Sequence, residues 1–218
     1  MNIASLSAAH ILPGTAVASD EQVRRENLAV AQGLKRKEAG LLDELIVRYQ
    51  HRLMRYLLYL TGNREMAEDL FQEVWMRVLI RGAQYNGNAR FETWLFTIAR
   101  NLVIDQRRKR TMSSLDELVE GTSEDDRAMS FEIADGEPTP FEHFSRLENR
   151  ERIAAALLQL DTLHREVLVL RFHEELSLEE IAKVTQAHLS TVKSRLYRGL
   201  AMIKPKLERL MNPAAEAV

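Results

Sequence analysis

The sequence predicts an all-α protein built as two small helical domains joined by a flexible acidic linker. Three observations carry that prediction. Apolar residues recur at spacings of three and four over two long stretches, which is the period of an amphipathic helix. Between them lies a stretch with turn-forming residues and little periodicity. Charge is blocked in the same way. Residues 42–110 carry 12 Lys/Arg against 8 Asp/Glu, residues 111–150 carry 3 against 11, and residues 151–212 carry 10 against 8. Two mildly basic blocks therefore flank an acidic one, inside a chain whose net charge is only −2. With 218 residues and 45% hydrophobic content, the chain can build one ordinary domain or two small ones.

Residues 1–40 read as an N-terminal extension, partly disordered, with a loosely held leader to about residue 25. Ala16-Val17-Ala18 resembles a signal-peptidase site, but no Lys or Arg precedes Arg24, and His10 and Pro13 interrupt the weak apolar segment. The first domain is expected over 41–110. Leu41, Leu45, Tyr49, Leu53, Tyr56 and Leu60 lie along one helix, with Gly62 as its C-cap and Asn63 capping the next. That second helix turns Met66, Leu70, Val74 and Val78 inward and keeps Glu68, Asp69, Gln72, Glu73 and Arg77 outside. A polar turn, Tyr85-Asn86-Gly87-Asn88, leads into a third helix. This helix begins with Phe91 and Trp94 and ends in the cations Arg107, Arg108, Lys109 and Arg110.

The acidic linker is expected over 111–147, with one helical turn around Leu115 to Val119. It is long for a loop inside one compact domain, which favours two. The second domain is expected over 148–212 and a tail over 213–218. Ile153, Leu157 and Leu160 mark its first helical face, Asp161 caps a helix carrying Val167, Leu168 and Leu170, and Ser177-Leu-Glu-Glu180 fits a capping box. Ile181, Ala182 and Val184 follow, then a short break, then a final helix with Ser190 as its cap and Val192, Leu196 and Ile203 inside. Two short helices joined by a tight turn, the second bearing Lys193, Arg195 and Arg198, make a helix-turn-helix layout. A plain αα-hairpin is the bland alternative.

Several classes of chemistry are disfavoured. The absence of cysteine removes disulfides, thiolate catalysis, iron–sulfur clusters and thiolate zinc sites. The six histidines are scattered without metal-ligand spacing. No apolar run approaches a membrane-spanning length, and no phosphate loop or nucleophile–base grouping stands out, so no catalytic residue, cofactor or small-molecule substrate is expected.

Laid out this way, the chain resembles a bacterial sigma factor of the extracytoplasmic-function (ECF) group, whose region 2 and region 4 domains are joined by a variable linker. Three runs carry the resemblance, in order: Ala67 to Trp75 (AEDLFQEVW), Arg90 to Arg110, and Leu176 to Leu200. The resemblance implies that 41–110 is region 2 and 148–212 is region 4. It implies a cytoplasmic protein, with no membrane insertion of its own, that partners core RNA polymerase, promoter DNA and an anti-sigma factor able to hold it at the membrane.

The resemblance also implies roles for residues. Asp69, Gln72 and Glu73 match positions that dock on the clamp of the largest polymerase subunit; a solvated helix face is the bland reading. The loop Tyr85 to Arg90 matches the one that holds a flipped base of the −10 element, with Asn86, Asn88 and Arg90 facing base edges. Asn101 matches a base-contacting position, Arg100 sits beside it, and Arg107, Arg108 and Arg110 suit phosphates. Phe91 and Trp94 belong to the core, since their spacing points inward with Leu95 and Ile98. In region 4, Lys193, Ser194, Tyr197 and Arg198 match readers of the −35 element, with Thr191 and Arg195 as backbone or secondary contacts.

The helix-turn-helix departs from the family at its turn. Gln186 stands where a glycine is usual, and His188 and Ser190 stand where a proline and a second glycine are usual. The acidic linker is also unmatched. The rival reading is a helix-turn-helix regulator that binds duplex DNA unaided, with the first block for dimerisation or sensing. A polymerase-binding adaptor with no DNA role leaves Lys193 and Arg198 unexplained.

Overall fold

The computed structural model of the chain describes residues 20–116 and 151–211, with side chains over 20–109 and 151–209. Every regular element among the described residues is helical. The expected linker from residue 117 and the tail 213–218 lie outside the described residues, as do residues 1–19 of the leader.

One element was not expected. Helix α1 spans Asp20–Arg36, so residues 20–25 of the supposed leader are helical. Its sequence is polar, and its buried seam is made of Ala31 and Gly33, with Val30 and Leu34 partly covered. Small residues make that seam, and small residues barely register in an apolar period.

The first domain then follows the sequence closely. Helix α2, Leu41–Thr61, buries Leu45, Tyr49, Leu53, Tyr56, Leu57 and Leu60. It stops at Gly62, whose left-handed φ of 66° lets its N–H return to the Leu58 carbonyl. Helix α3, Arg64–Arg81, opens with the Asn63 side chain accepting from the Met66 N–H at 2.8 Å. A single 3-10 turn, Gly82–Gln84, leads to the loop, and α4 runs over Phe91–Asp116. Thus α4 extends six residues into the expected linker and takes in Leu115 and Asp116; the rest of the expected turn lies outside the described residues.

The second domain opens with α5 over residues 151–158. Its inward face is Ala154, Ala156 and Leu157 rather than the expected Ile153, which is 38% exposed. Alanines fill the seam there, so the large residue was free to face out. Helix α6, Thr162–Leu168, is capped by Asp161, whose side chain accepts from Leu163 and His164. It runs on through a π-helical turn, Val169–His173. Helix α7, Leu178–Thr185, carries the full Ser177/Glu180 capping box. Helix α8, Leu189–Met211, includes Ser190 in its first turn, so the expected serine cap does not form; the Val192 N–H returns to the His188 carbonyl at 3.0 Å instead.

The helix-turn-helix turn forms without the usual glycine. Gln186 takes the left-handed conformation itself, at φ 51° and ψ 38°, and the Ala187 N–H closes the turn on the Ala182 carbonyl at 3.1 Å. A non-glycine residue holds that conformation at a cost of roughly 1–2 kcal/mol.

The two domains lie against each other: α4 packs on α7, and α2 packs on α6 and on the π-helical turn. Their apolar side chains merge into one buried cluster, from Tyr56 and Phe96 on one side to Leu170, Leu176 and Ile181 on the other.

Candidate nucleic-acid and polymerase interface

Helix α3 presents an acidic outer face because its apolar period buries Ala67, Leu70, Val74 and Val78 on the opposite side. Asp69, Gln72 and Glu73 are all exposed, as the sequence reading requires. Glu73 accepts from the Arg77 guanidinium at 2.8 Å one turn on. A polar groove separates this face from α4, with Glu65, Asp69, Glu73 and the Glu73-paired Arg77 on one wall and Arg108, Lys109 and the Arg108-paired Asp105 on the other. The α3 wall keeps an acidic excess that suits a cationic partner helix, and the α4 wall a basic excess that suits an anion.

The loop between the 3-10 turn and α4 is built from the inside out. Tyr85 is buried; its hydroxyl donates to the Ala89 carbonyl at 2.6 Å, and its ring packs edge-on against Phe91 and tilted on Trp94. Phe91 and Trp94 thus serve the core, as expected from their spacing. The Asn88 N–H donates to the Asn86 side-chain oxygen at 3.0 Å, which tightens the turn. Gly87 is buried between these two exposed asparagines.

The remaining residues expected at the −10 element fall into two groups. Asn101 and Arg108 are exposed, Arg108 beside Asp105 at 3.3 Å. Arg90 and Arg107 are exposed too but each also touches the second domain, and Arg100 is covered by it. The Arg100 guanidinium meets Glu166 at 2.9 Å and is only 13% exposed. Arg90 pairs with Glu92 at 2.5 Å and lies 3.8 Å from Glu180. Arg107 donates to the Thr162 hydroxyl at 3.2 Å and also to the Leu60 carbonyl. The side chain of Arg110 lies outside the described residues.

Sequence reasoning missed the groups that make this junction. Glu166 is buried, accepting from the Tyr56 hydroxyl and from Arg100, both at 2.9 Å. Burial pushes its carboxyl above the usual range, against the pull of Arg100 and the Tyr56 hydrogen bond. Burial likewise drives the Tyr56 phenol well above its ordinary value, with the Glu166 charge adding to the shift. Glu174 is also buried and pairs with Arg52 at 2.8 Å and Arg55 at 3.0 Å. Arg165 reaches back to the Tyr59 carbonyl at 2.7 Å. One signal was available: Glu166 and Leu170 share a helical face, so a carboxylate stands in an apolar row.

The second domain keeps its outer face open. Val192, Leu196 and Ile203 anchor α8 inside, so Lys193, Tyr197 and Arg198 face solvent. Tyr197 is 70% exposed, unusual for a ring with no partner to cover it. Thr191, Ser194 and Arg195 are half-buried. The Arg195 charge is among those that draw the Glu166 carboxyl down against its burial.

Comparison with known proteins agrees with this layout. Residues 45–112 match the family model described as Sigma-70 region 2, and residues 150–203 match Sigma-70, region 4. The ECF RNA polymerase sigma factor SigW of Bacillus subtilis is 32% identical over 178 residues, covering 81% of this chain and 94% of that protein. SigX of the same organism is 33% identical over 162 residues, 74% of this chain and 81% of its own. SigL of Mycobacterium tuberculosis is 33% identical over 188 residues, covering 84% and 98%. Among solved structures, the sigma factor RpoE in complex with the anti-sigma factor NepR from Bartonella quintana shares the fold. Its TM-score is 0.62 at 21% identity, over 78% of this chain and 98% of that one.

Proposed function

This chain belongs to the ECF group of RNA polymerase sigma factors, and we propose on that footing which of its surfaces does what. It is a subunit of the initiating polymerase: it binds core RNA polymerase and directs transcription to particular promoters through −35 and −10 elements. The observation that carries this reading is the presence of both matched regions, in order, in one chain.

Asp69, Gln72 and Glu73 form the docking face for the polymerase clamp. Lys193, Ser194, Tyr197 and Arg198 enter the major groove of the −35 element, with Thr191 and Arg195 at its edge. Asn86 and Asn88 hold a base extruded from the −10 element, Asn101 contacts a neighbouring base, and Arg108 and Arg110 meet phosphates. Extruding a base costs a few kcal/mol, which contacts of ~1–3 kcal/mol per base offset. Melting by capture needs no catalytic group, and we read the chain as a non-enzymatic initiation factor. It works in the cytoplasm, where polymerase is; no helix among the described residues is long and apolar enough to cross a membrane.

The packed arrangement is the form that precedes promoter engagement. Arg100 cannot serve −10 DNA while Glu166 holds it, whereas Arg90 and Arg107 touch the second domain at Glu180 and Thr162 but stay exposed. The −35 helix stays open in the same arrangement. Separation of the domains therefore comes between free sigma and open promoter, and an anti-sigma factor that fastens the two domains together is the partner suited to prevent it.

Run-off transcription with core polymerase on a genomic promoter library tests the assignment. Initiation at a distinct set of promoters, dependent on this chain, is the expected outcome. Tight sequence-specific duplex binding by the chain alone, with no effect on core polymerase, would show an ordinary helix-turn-helix regulator instead.

A further inference from the structure

We infer that helix α1 is the seat of the −10 base-capture loop, and that its backbone at Asn27–Leu28, together with Leu34, sets which base that loop accepts. The inference rests on the reading of Asn86 and Asn88 as base contacts, and it adds a positioning element outside the region 2 match, which begins at residue 45.

The geometry runs from α1 to the loop at two points. At the 3-10 turn, Gly82 sits against Leu34 so closely that a Cβ on it would lie 3.2 Å from the Leu34 Cδ2. At the loop itself, a Cβ on Gly87 would lie 3.1 Å from the Asn27 carbonyl oxygen and 3.2 Å from the Leu28 Cα. Both of those neighbours are helix backbone and have no room to give. Gly87 also has φ 75°, a conformation that an L side chain adopts only with strain. Glycine is therefore required there for two separate reasons, and the first, the close approach, fixes the loop relative to α1.

The consequence for the loop follows from its length. Asn86 and Asn88 flank Gly87 directly, so the point pressed on α1 is the middle residue of the three. With Gly87 buried against a helix backbone, its neighbours are displayed on the outside, as their exposure shows. The hydrogen bond from the Asn88 N–H to the Asn86 side chain then fixes the angle between them. Tyr85 ties the other side of the loop to α4 through Phe91 and Trp94. The loop is thus held between two walls, α4 from the region 2 core and α1 from the segment before it. A recognition loop reads a base only when its hydrogen-bonding groups are held in place before the base arrives. Moving the α1 wall by a few tenths of an ångström re-aims both asparagines together.

Two substitutions loosen the seat without touching a base contact. Ala31→Glu places a charge in the buried α1 seam, and Leu34→Ala removes the side chain that meets Gly82; the milder Leu34→Ala keeps the test open if Ala31→Glu misfolds. Both are compared with wild type and with Asn86→Ala/Asn88→Ala in the full chain reconstituted with core polymerase. The readout is promoter opening on four templates differing only at the captured base, followed by permanganate reactivity of unpaired thymines. Hydrogen exchange of residues 85–90 reports whether the seat has loosened. The expected result is faster loop exchange, core binding within twofold of wild type, and at least a tenfold fall in discrimination between best and worst base. Faster exchange with wild-type discrimination would overturn the inference while leaving the base contacts intact. A parallel loss of core binding and opening, with the base preference unchanged, would also overturn it, since α1 would then only stabilise the domain. Wild-type opening and preference in Asn86→Ala/Asn88→Ala would instead overturn the reading of the loop, whatever α1 does.

Discussion

Glu166 and Arg100 are joined across the two domains at 2.9 Å, and the carboxylate oxygen that receives the guanidinium also receives the Tyr56 hydroxyl at 2.9 Å. One oxygen from region 4 thereby occupies an arginine of region 2 that we propose for the −10 element. Buried pairs of this kind contribute little net stability, because desolvation cancels most of the attraction. Removing one partner is nevertheless costly, about 3–5 kcal/mol, because the other charge is left buried and alone. Glu166→Ala should therefore open the domains rather than merely weaken them. The expected outcome is a larger radius of gyration by small-angle scattering and a rise in binding of the free chain to a single-stranded −10 oligonucleotide. An unchanged radius with unchanged oligonucleotide binding would show that Glu166 does not hold the closed form.

His173 gives that closure a titratable marker. It lies at the junction, its ring 5.3 Å from Tyr59 and its carbonyl accepting from Arg55. Burial, with Arg55 adding repulsion, lowers its pKa from 6.5 to about 4. A base whose pKa is depressed on closing binds fewer protons closed than open, so closure gains with rising pH. The contribution is complete above about 6.5 and is lost progressively as pH falls toward about 4. Glu166, whose carboxyl burial pushes upward, works in the opposite sense and loses its contribution as pH rises through its shifted value. The imidazole's own titration, followed by NMR, is the cleaner measurement. We expect His173 to titrate near 4 in the intact chain and to return toward 6.5 in Glu166→Ala; a value near 6.5 in the intact chain would show the junction is open.

The helices of both domains were legible because their apolar residues recur at helical spacing and their caps are spelled out: Gly62, Asn63, Asp161, and the Ser177/Glu180 pair. What was not legible depends on partners far apart in the chain. Helix α1 buries small residues, so it has no strong apolar stripe, and its role appears only where Gly87 meets Asn27. Glu166 and Glu174 look like ordinary helix charges until Tyr56, Arg100, Arg52 and Arg55 are placed around them. The same explains why Arg90, Arg100 and Arg107 read as DNA contacts alone: sequence names the chemistry of a guanidinium but not which acceptor it meets in the fold.

The acidic face of α3 should govern assembly with polymerase and nothing else. Asp69 and Gln72 are exposed and lie on the side of α3 away from its core residues, so replacing both with Ala removes interactions at little folding cost. Co-purification with core polymerase should fall at least tenfold, with thermal stability within about 0.5 kcal/mol, the range for surface changes. Retained co-purification would move the docking face elsewhere.

Gln186 holds the helix-turn-helix turn in the left-handed conformation at φ 51°. Replacing it with glycine relieves roughly 1–2 kcal/mol of strain, of which about 0.4–1 kcal/mol is returned as greater freedom of the unfolded chain. Gln186→Gly should therefore stabilise the second domain by about 1 kcal/mol or less, seen as a modest rise in thermal midpoint. A fall would mean the Gln186 side chain makes contributions to the turn beyond its backbone.

Arg198 and Lys193 both face out from α8, but they should behave differently on DNA. An arginine can bond two acceptors of one guanine at once, whereas a lysine is a point charge that serves a base or a phosphate equally. Arg198→Ala in the polymerase holoenzyme should lose ~1–3 kcal/mol at one upstream base position and relax the preference there. Lys193→Ala serves as the comparison. If Lys193 meets phosphate, binding should weaken evenly across sequences, with the salt dependence reduced by about one ion. Measuring affinity for single-base variants of the −35 element at two salt concentrations separates the two. A uniform loss for Arg198→Ala across all variants would place its guanidinium on the phosphate backbone and move base reading to Ser194 and Tyr197.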